Sequence, residues 1–272
     1  MNSFGEAIGN SAIGLKQRRK VIPYIETSPI VIWRSITIHP FGLLVVTGCI
    51  IGYLVARWHA GTRGLDGRLS TELAICILVP AFILAHVVTL VLYFPDTLPR
   101  SAWIPTDMGK GMSSYGGFLG GSLGAVLYLK WRKLPVLEYI DAMMLGLTVG
   151  WFFGRLGCTI VHDHPGLRSQ FFLAVLYPDG PRHDLGFYEW LLTIILIIIG
   201  FSIRGRSLPA GALTGVISIA YAPVRFMLDF LRTGDKAYWG FTPGQYFSVI
   251  LFSVGIWVLG GAYKRWAVHQ KS

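Results

Sequence analysis

Apolar runs of about 20 residues, the length that crosses a hydrocarbon core as a helix, recur along the chain. They lie at roughly 38–57, 73–93, 112–130, 138–156, 186–203, 210–231 and 244–263. In lipid every backbone polar group must find an internal partner, which leaves helices as the simplest spanning solution for segments of this length. The chain is 53% hydrophobic and 14% charged, where a soluble domain carries about 25% charge. The expectation is an all-α, polytopic membrane protein with about seven transmembrane helices. Nothing marks off a soluble domain, so residues 1–37 read as a tail and 38–272 as one membrane domain.

Orientation follows from the basic residues near the span ends. Arg57, Arg63 and Arg68, then Lys130, Arg132 and Lys133, then Arg204 and Arg206, and finally Lys264, Arg265 and Lys271 fall in alternate connections and the C-terminal tail. This predicts a cytoplasmic C-terminus, an outside N-terminus, and an outside loop at 158–185 between spans four and five. The basic stretch Lys16-Gln17-Arg18-Arg19-Lys20 argues the other way, but it lies about 20 residues from the first span, at the limit of the rule's reach. The formal charge of +10 fits loops beside anionic lipid. No stripe of interleaved basic and aromatic residues points to nucleic acid. Residues 1–28 lack the apolar segment of a cleaved signal peptide. Cys49, Cys76 and Cys158 are an odd set, two of them inside apolar runs, and imply no disulfide framework.

The most informative stretch runs from Gly146 to Gly166. Gly146, Gly150 and Gly154 recur one turn apart and offer a bare helix face. They lead to Arg155, after which the chain is expected to leave the helix through Gly157 into a loop holding His162, Asp163 and His164. An arginine at that depth either snorkels to the headgroups or meets an anion, for which a lipid phosphate matches the guanidinium fork. Two further ridges, Gly116/Gly120/Gly124 and Gly117/Gly121, predict close packing of span three. Tyr115 at their mouth is an interfacial anchor or a hydroxyl over a headgroup. In span six Pro223 predicts a kink, and Arg225 and Asp229 share a face at i, i+4, as an ion pair or as a grip on a polar ligand. Tyr188 reads as an interface anchor, and Glu189 needs a partner, for which Arg182 is a candidate. Arg155, the histidine loop, Arg182-His183 and the Arg225–Asp229 region should converge near the outer leaflet. A metal held by His162, Asp163 and His164 and completed by His183 is a further reading of the loop. Charges near the span ends, rather than at the midplane, speak against a transporter.

Six segments in order resemble the bacterial prolipoprotein diacylglyceryl transferase family. Gly154-Arg155-Leu156-Gly157 through Gly166 is similar to G-R-x-G-N-F-x-N-x-E-x-x-G. Met112-Ser113-Ser114-Tyr115-Gly116-Gly117 resembles M-S-F-H-G-G, and Arg182-His183 through Tyr188-Glu189 resembles R-H-P-S-Q-L-Y-E. Arg225 to Arg232 resembles R-x-x-x-E-F-x-R, Thr242 to Ser248 resembles S-M-G-Q-x-L-S, and Ile38 to Gly42 resembles the first-span H-W-Y-G. The departures are Cys158 for asparagine, Asp163 for glutamate, Tyr115 for histidine, Phe41 for tyrosine and His86 for arginine.

The resemblance implies a multi-pass enzyme of the bacterial cytoplasmic (inner) membrane, with the lipid bilayer as its setting. It implies transfer of the diacylglyceryl group of phosphatidylglycerol to the cysteine thiol of a prolipoprotein signal peptide, without cofactor or metal. Carried over residue by residue, it makes Arg155, Tyr115, Asp163, His183, Arg225 and Asp229 the candidate catalytic groups. Arg155, Arg225, Gly166, Cys158, Tyr188, Glu189 and Phe41 are then the substrate-binding candidates. With the family histidine replaced, the bases to consider are His162, His164, His183 and Asp163. The alternatives are a non-catalytic paralogue that binds lipid or lipoprotein, or a transferase with a changed donor or acceptor. Cys158 is either a small repacked residue or a reactive thiol.

Overall fold

The computed structural model describes residues 21–27, 30–33, 36–93, 112–205, 208–234 and 237–269. The basic stretch 16–20 and Lys271 lie outside them, as does Arg206. Among the described residues there are seven helices: α1 (Pro40–Thr62), α2 (Gly67–Val88), α3 (Ser114–Trp131), α4 (Val136–Val161), α5 (Leu185–Ile203), α6 (Ala212–Asp229) and α7 (Pro243–His269). A π-helical turn, Thr89–Tyr93, continues α2. Six of the seven are long and apolar enough to cross a membrane. The exception is α3, whose 18 residues include five glycines that dilute its apolar character. The outward faces are apolar, with Ile198 59% and Ile250 58% exposed, as a lipid-facing surface requires.

Glycines set how closely the helices approach. A methyl group on Gly48 would lie 2.6 Å from the Gly150 carbonyl, and one on Gly52 would lie 2.7 Å from that of Gly146. These contacts pack α1 against α4 antiparallel. The expected bare face of α4 is used at Gly146 and Gly150 only, since Gly154 meets nothing within 4 Å. On α3 the 116/120/124 ridge lies directly on the α2 backbone at Leu84, Pro80 and Cys76. The 117/121 ridge packs more loosely, against Ala81, Ala85 and Ile77. Two apolar clusters fill the remaining space: Leu145, Leu192, Leu196, Leu213, Ile217 and Tyr221 between α4, α5 and α6, and Leu73, Ala125, Tyr128, Leu129 and Tyr139 between α2, α3 and α4. At the other end from the sheet, Asp141 accepts from the Gly211 and Thr214 amides at 2.8 Å each. One carboxylate so caps the start of α6 from a neighbouring helix.

A small sheet covers the opposite end. Strands β4 (Pro165–Arg168), β5 (Val175–Tyr177) and β6 (Gly180–Asp184) come from the α4–α5 connection. Strand β1 (Ile22–Pro23) adds to β5 in parallel, giving the order β1-β5-β6-β4. A separate antiparallel hairpin, β2 (Ile30–Trp33) with β3 (Ile36–Ile38), precedes α1. Thus the segment before α1 and the α4–α5 connection share one end of the bundle.

Helix α4 does not end at Gly157, as expected, but runs on through Cys158 to Val161. Gly157 is there for packing: a methyl group on it would lie 2.9 Å from the Phe41 ring. The helix stops at His162, which takes the left-handed conformation (φ 51, ψ 39). Its ring is held at 2.5 Å by Asp184 and stacks on Tyr24 with centroids 4.4 Å apart.

Candidate active site

Five helices bring polar groups to the sheet-covered end: Tyr115 at the start of α3, Arg155 near the end of α4, Glu189 in the second turn of α5, Arg225 and Asp229 in the last turns of α6, and Gln245 in the first turn of α7. The four charged groups are almost fully buried, at 5% exposure for Arg155, 1% for Glu189, and 3% for Arg225 and Asp229. They form one chain of ion pairs. Arg155 Nη2 lies 2.8 Å from Glu189 Oε2, and Arg225 Nε lies 3.6 Å from Glu189 Oε1. Arg225 Nη1 lies 2.6 Å from Asp229 Oδ1. Arg225 Nη2 donates to the Tyr115 hydroxyl, and the Thr242 hydroxyl donates to Asp229. The buried part holds two cations and two anions, the condition for keeping such charges out of water, and the half-buried Arg232 joins from its edge at 3.9 Å from Asp229 Oδ1.

Aromatic rings wall the cluster. Arg155 lies over Trp151 at 5.0 Å, and Arg225 over Tyr115 at 5.6 Å, geometry in which the ring faces stabilise the cations. Tyr115 stacks on Phe247 and Trp151 on Phe118. The Tyr221 hydroxyl reaches Glu189 at 3.5 Å. Gly244 is required beside them, because a methyl group there would sit 2.6 Å from Asp229 Oδ2 and against the Tyr115 hydroxyl. Among the described residues, Trp151 Nε1 and Gln245 Nε2 are buried donors with no partner.

The other expected residues divide around this centre. Glu189 pairs with the two arginines and not with Arg182. Arg182 is turned to Asp179, with Nε at 2.9 Å from Oδ1. That pairing holds the exposed Asp179 carboxyl down to about 2. His183 Nδ1 meets the Tyr188 hydroxyl at 2.8 Å. Both line an open apolar groove of about 400 Å³ with Phe171, Leu173, Leu228 and Leu231, beside the arginine cluster rather than in it. Burial holds the His183 imidazole below its ordinary value. Gly166 packs against the Leu231 carbonyl and His183, and its strand bridges Arg232. Phe41 is pressed on Gly157. Cys158 is buried, with Sγ 4.0 Å from Arg155 Nη1. Asp163 is more exposed and bonded to His164 Nδ1 at 2.5 Å. The expected metal trio with His183 does not assemble, since His162 is taken by Asp184 and His183 by Tyr188. Thr242, Tyr221 and Trp151 join the site without having been singled out in the sequence. Trp151 and Tyr221 lie one turn before Arg155 and Arg225 on the same helices, and Thr242 lies just before α7, three residues from Gln245; only that proximity could have pointed to them.

Fold and site together define a helical protein, six of whose described helices are long and apolar enough to cross a membrane, with a buried arginine cluster at one end. The family model for prolipoprotein diacylglyceryl transferase matches residues 29–260, and the chain belongs to that family. Curated relatives named phosphatidylglycerol–prolipoprotein diacylglyceryl transferase align along its length. That of Rhizobium meliloti is 26% identical over 269 residues, covering 90% of this chain and 95% of that protein. That of Methylocella silvestris is 27% identical over 273 residues, covering 91% and 99%. That of Nitratidesulfovibrio vulgaris strain Miyazaki F is 34% identical over 158 residues, covering 55% of this chain and 60% of that protein.

Proposed function

We propose that the chain is a transferase that moves the diacylglyceryl group of phosphatidylglycerol to the cysteine thiol of a prolipoprotein signal peptide, at the outer face of a bacterial cytoplasmic membrane. The observation that carries this reading is the buried Arg155–Glu189–Arg225–Asp229 chain, in a chain that belongs to this family. The reaction makes a thioether and releases glycerol phosphate, so the developing charge falls on phosphate oxygens. Arg155 and Arg225 stabilise that charge, with donors already held in place and water excluded. Asp229 and Glu189 orient the two guanidiniums. Tyr115 accepts from Arg225, which leaves its own O–H to donate to a lipid oxygen. The open apolar groove beside His183 and Tyr188 takes an apolar part of a substrate.

The membrane arrangement belongs to the same proposal. All seven helices cross, α3 included, with the segment before α1 and the α4–α5 connection outside and the C-terminus in the cytoplasm. Support comes from the basic residues grouped at the α1–α2, α3–α4 and α5–α6 turns. The pairing of β1 with β5 agrees, since both must then lie on one side.

The test is mass spectrometry of lipoproteins from cells in which this chain is the sole transferase. A diacylglyceryl adduct on the acceptor cysteine is expected. A folded, membrane-inserted protein with unmodified acceptors would instead identify a paralogue that binds lipid or lipoprotein without turnover.

A further inference from the structure

The end of the bundle away from the sheet holds a second group of arginines, and their charges are not matched. Helix α5 stops at Ile203, with Arg204 as its C-cap. The Arg204 guanidinium lies 4.4 Å from the ring centroid of Trp58 on α1 and 5.3 Å from that of Phe201. The two rings stack on each other, with centroids 6.2 Å apart. Such contacts fix where the cation sits but leave its N–H donors unspent. Arg204 Nε is buried with no partner, and among the described residues no carboxylate pairs with Arg204 or Arg63. Arg63, just past α1, reaches the Leu208 carbonyl at 3.4 Å, in the turn that follows Arg204. Both guanidiniums lie within electrostatic reach of the buried His59 ring, so their fields add in one place.

The carboxylates at this end are committed elsewhere. Asp66 caps α2, Glu72 takes Tyr128 and Arg132, and Glu138 lies in the first turn of α4. Asp141 is within reach of Arg63, but it spends both oxygens on Gly211 and Thr214. The surroundings say what kind of anion fits. Trp58 and Phe201 are 45% and 37% exposed on the outer surface of the bundle, and one turn further into the spans Leu54 and Ile198 are exposed as well. The two arginines therefore stand at the end of an apolar, lipid-facing strip, with interface aromatics beneath them. A free anion would meet the charges alone. A phospholipid meets the charges with its phosphate and the strip with its chains.

We propose that Arg204 and Arg63 hold the phosphate of an anionic phospholipid in the leaflet away from the sheet, with its chains along Leu54, Trp58, Ile198 and Phe201. Two cations without a counter-ion select a headgroup of net negative charge over a zwitterionic one. The bound phosphate joins the end of α1 to the α5–α6 turn, which the Trp58–Phe201 stack and the Arg63–Leu208 hydrogen bond already bring together. The site is distinct from the transfer site. Helices α1 and α5 carry these residues at their far ends from Phe41 and Glu189. The proposal does not depend on the transferase reading.

Native mass spectrometry of the full-length protein, stripped of lipid in detergent, tests this directly. The probes are palmitoyl-oleoyl phosphatidylglycerol, the corresponding phosphatidylethanolamine, and inorganic phosphate. Wild-type protein should retain one more phosphatidylglycerol than Arg204→Gln does. That binding event should weaken roughly 10- to 100-fold in the variant, the loss expected for a hydrogen bond to a charged group. Arg63→Gln should lose the same lipid, and it serves as the second variant should Arg204→Gln fail to fold. Arg132→Gln, at the same end but paired with Glu72, should bind as the wild type does. Arg155→Lys should also keep this lipid, which separates it from lipid held at the transfer site. Equal retention by the wild type, Arg204→Gln and Arg63→Gln overturns the proposal. So does phosphatidylethanolamine held as tightly as phosphatidylglycerol, or an equal loss in Arg132→Gln, which would show diffuse attraction by a basic surface. Displacement of the lipid by an equal concentration of inorganic phosphate would mark a free-anion site and overturn the lipid assignment.

Discussion

Glu189 bridges the two site arginines, with Oε2 at 2.8 Å from Arg155 and Oε1 at 3.6 Å from Arg225. The three residues come from three different helices, so this carboxylate ties α4, α5 and α6 together at one end. It also means that a lipid phosphate entering between the arginines meets guanidiniums already oriented and already neutralised. Affinity then depends on how far each fork can share its donors between carboxylate and phosphate.

Glu189→Gln removes the shared counter-charge and leaves two buried cations facing one remaining anion. Breaking a buried pair in this way costs about 3–5 kcal/mol. A lower thermal midpoint in detergent is expected. Phosphatidylglycerol should restore more of it in the variant than a zwitterionic lipid, because only the former carries a net negative charge, with no headgroup cation to offset its phosphate. Equal midpoints with and without Glu189 would show that the ion pairs are solvated rather than buried.

Arg155→Lys keeps the charge but cannot hold Glu189 and a phosphate oxygen with one planar fork. Losing one hydrogen bond to a charged group is worth about 1.5–3 kcal/mol, or roughly 10- to 100-fold in transfer rate. Folding should be nearly unchanged, as read by size-exclusion profile and midpoint. Full activity in this variant would exclude a phosphate role for Arg155.

How much of this was legible beforehand depends on the range of each interaction. Arg225 and Asp229 share one helix, and their i, i+4 spacing already implied contact. The glycine ridge of α3 and the apolar runs were equally local. Glu189 was paired in expectation with Arg182, seven residues away, whereas its true partners lie 34 and 36 residues away on other helices. Nothing in a single sequence ranks such interhelical pairs. Arg182 was drawn off by Asp179, three residues back in the same hairpin. The continuation of α4 past Gly157 was missed for a similar reason. Glycine is a helix stop only where no neighbour needs the space, and here Phe41 does.

The outside position of the α4–α5 connection can be read by labelling. An impermeant maleimide on intact spheroplasts should modify Ser169→Cys and spare Arg132→Cys. Ser169 sits beside β4, and Arg132 follows α3 at the opposite end. The reverse pattern would invert the topology and move the arginine cluster to the inner leaflet.

His183 provides a pH test. Burial lowers its affinity for a proton relative to the unfolded chain. The groups facing it are the Tyr188 hydroxyl and the apolar Phe171 and Leu173. With a depressed folded-state value, the native state is favoured above the ordinary histidine value of about 6.5 and loses stability as pH falls below it. Wild-type protein should therefore lose more thermal stability between neutral and mildly acidic pH than His183→Gln does. Identical slopes would mean that the imidazole is solvated.

Gly244 gives a test in which local and site effects have opposite signs. It occupies the first turn of α7, where alanine would by helix propensity alone stabilise the chain by up to about 1 kcal/mol. The added methyl group, however, would sit 2.6 Å from Asp229 Oδ2 and against the Tyr115 hydroxyl. Neither atom is free to retreat. Arg225 and Thr242 hold Asp229, and Arg225 and the Phe247 ring hold Tyr115. Gly244→Ala should thus lower both the thermal midpoint and transfer, by displacing the group that fixes Arg225. Tyr115→Phe removes one of the two clashing atoms. In the Gly244→Ala background it should raise the midpoint, while in the wild-type background it should lower it by removing the hydrogen bond from Arg225. That change of sign is the signature of direct contact in a double-mutant cycle. Additive effects would show that Gly244 and Tyr115 do not share the space assigned to them.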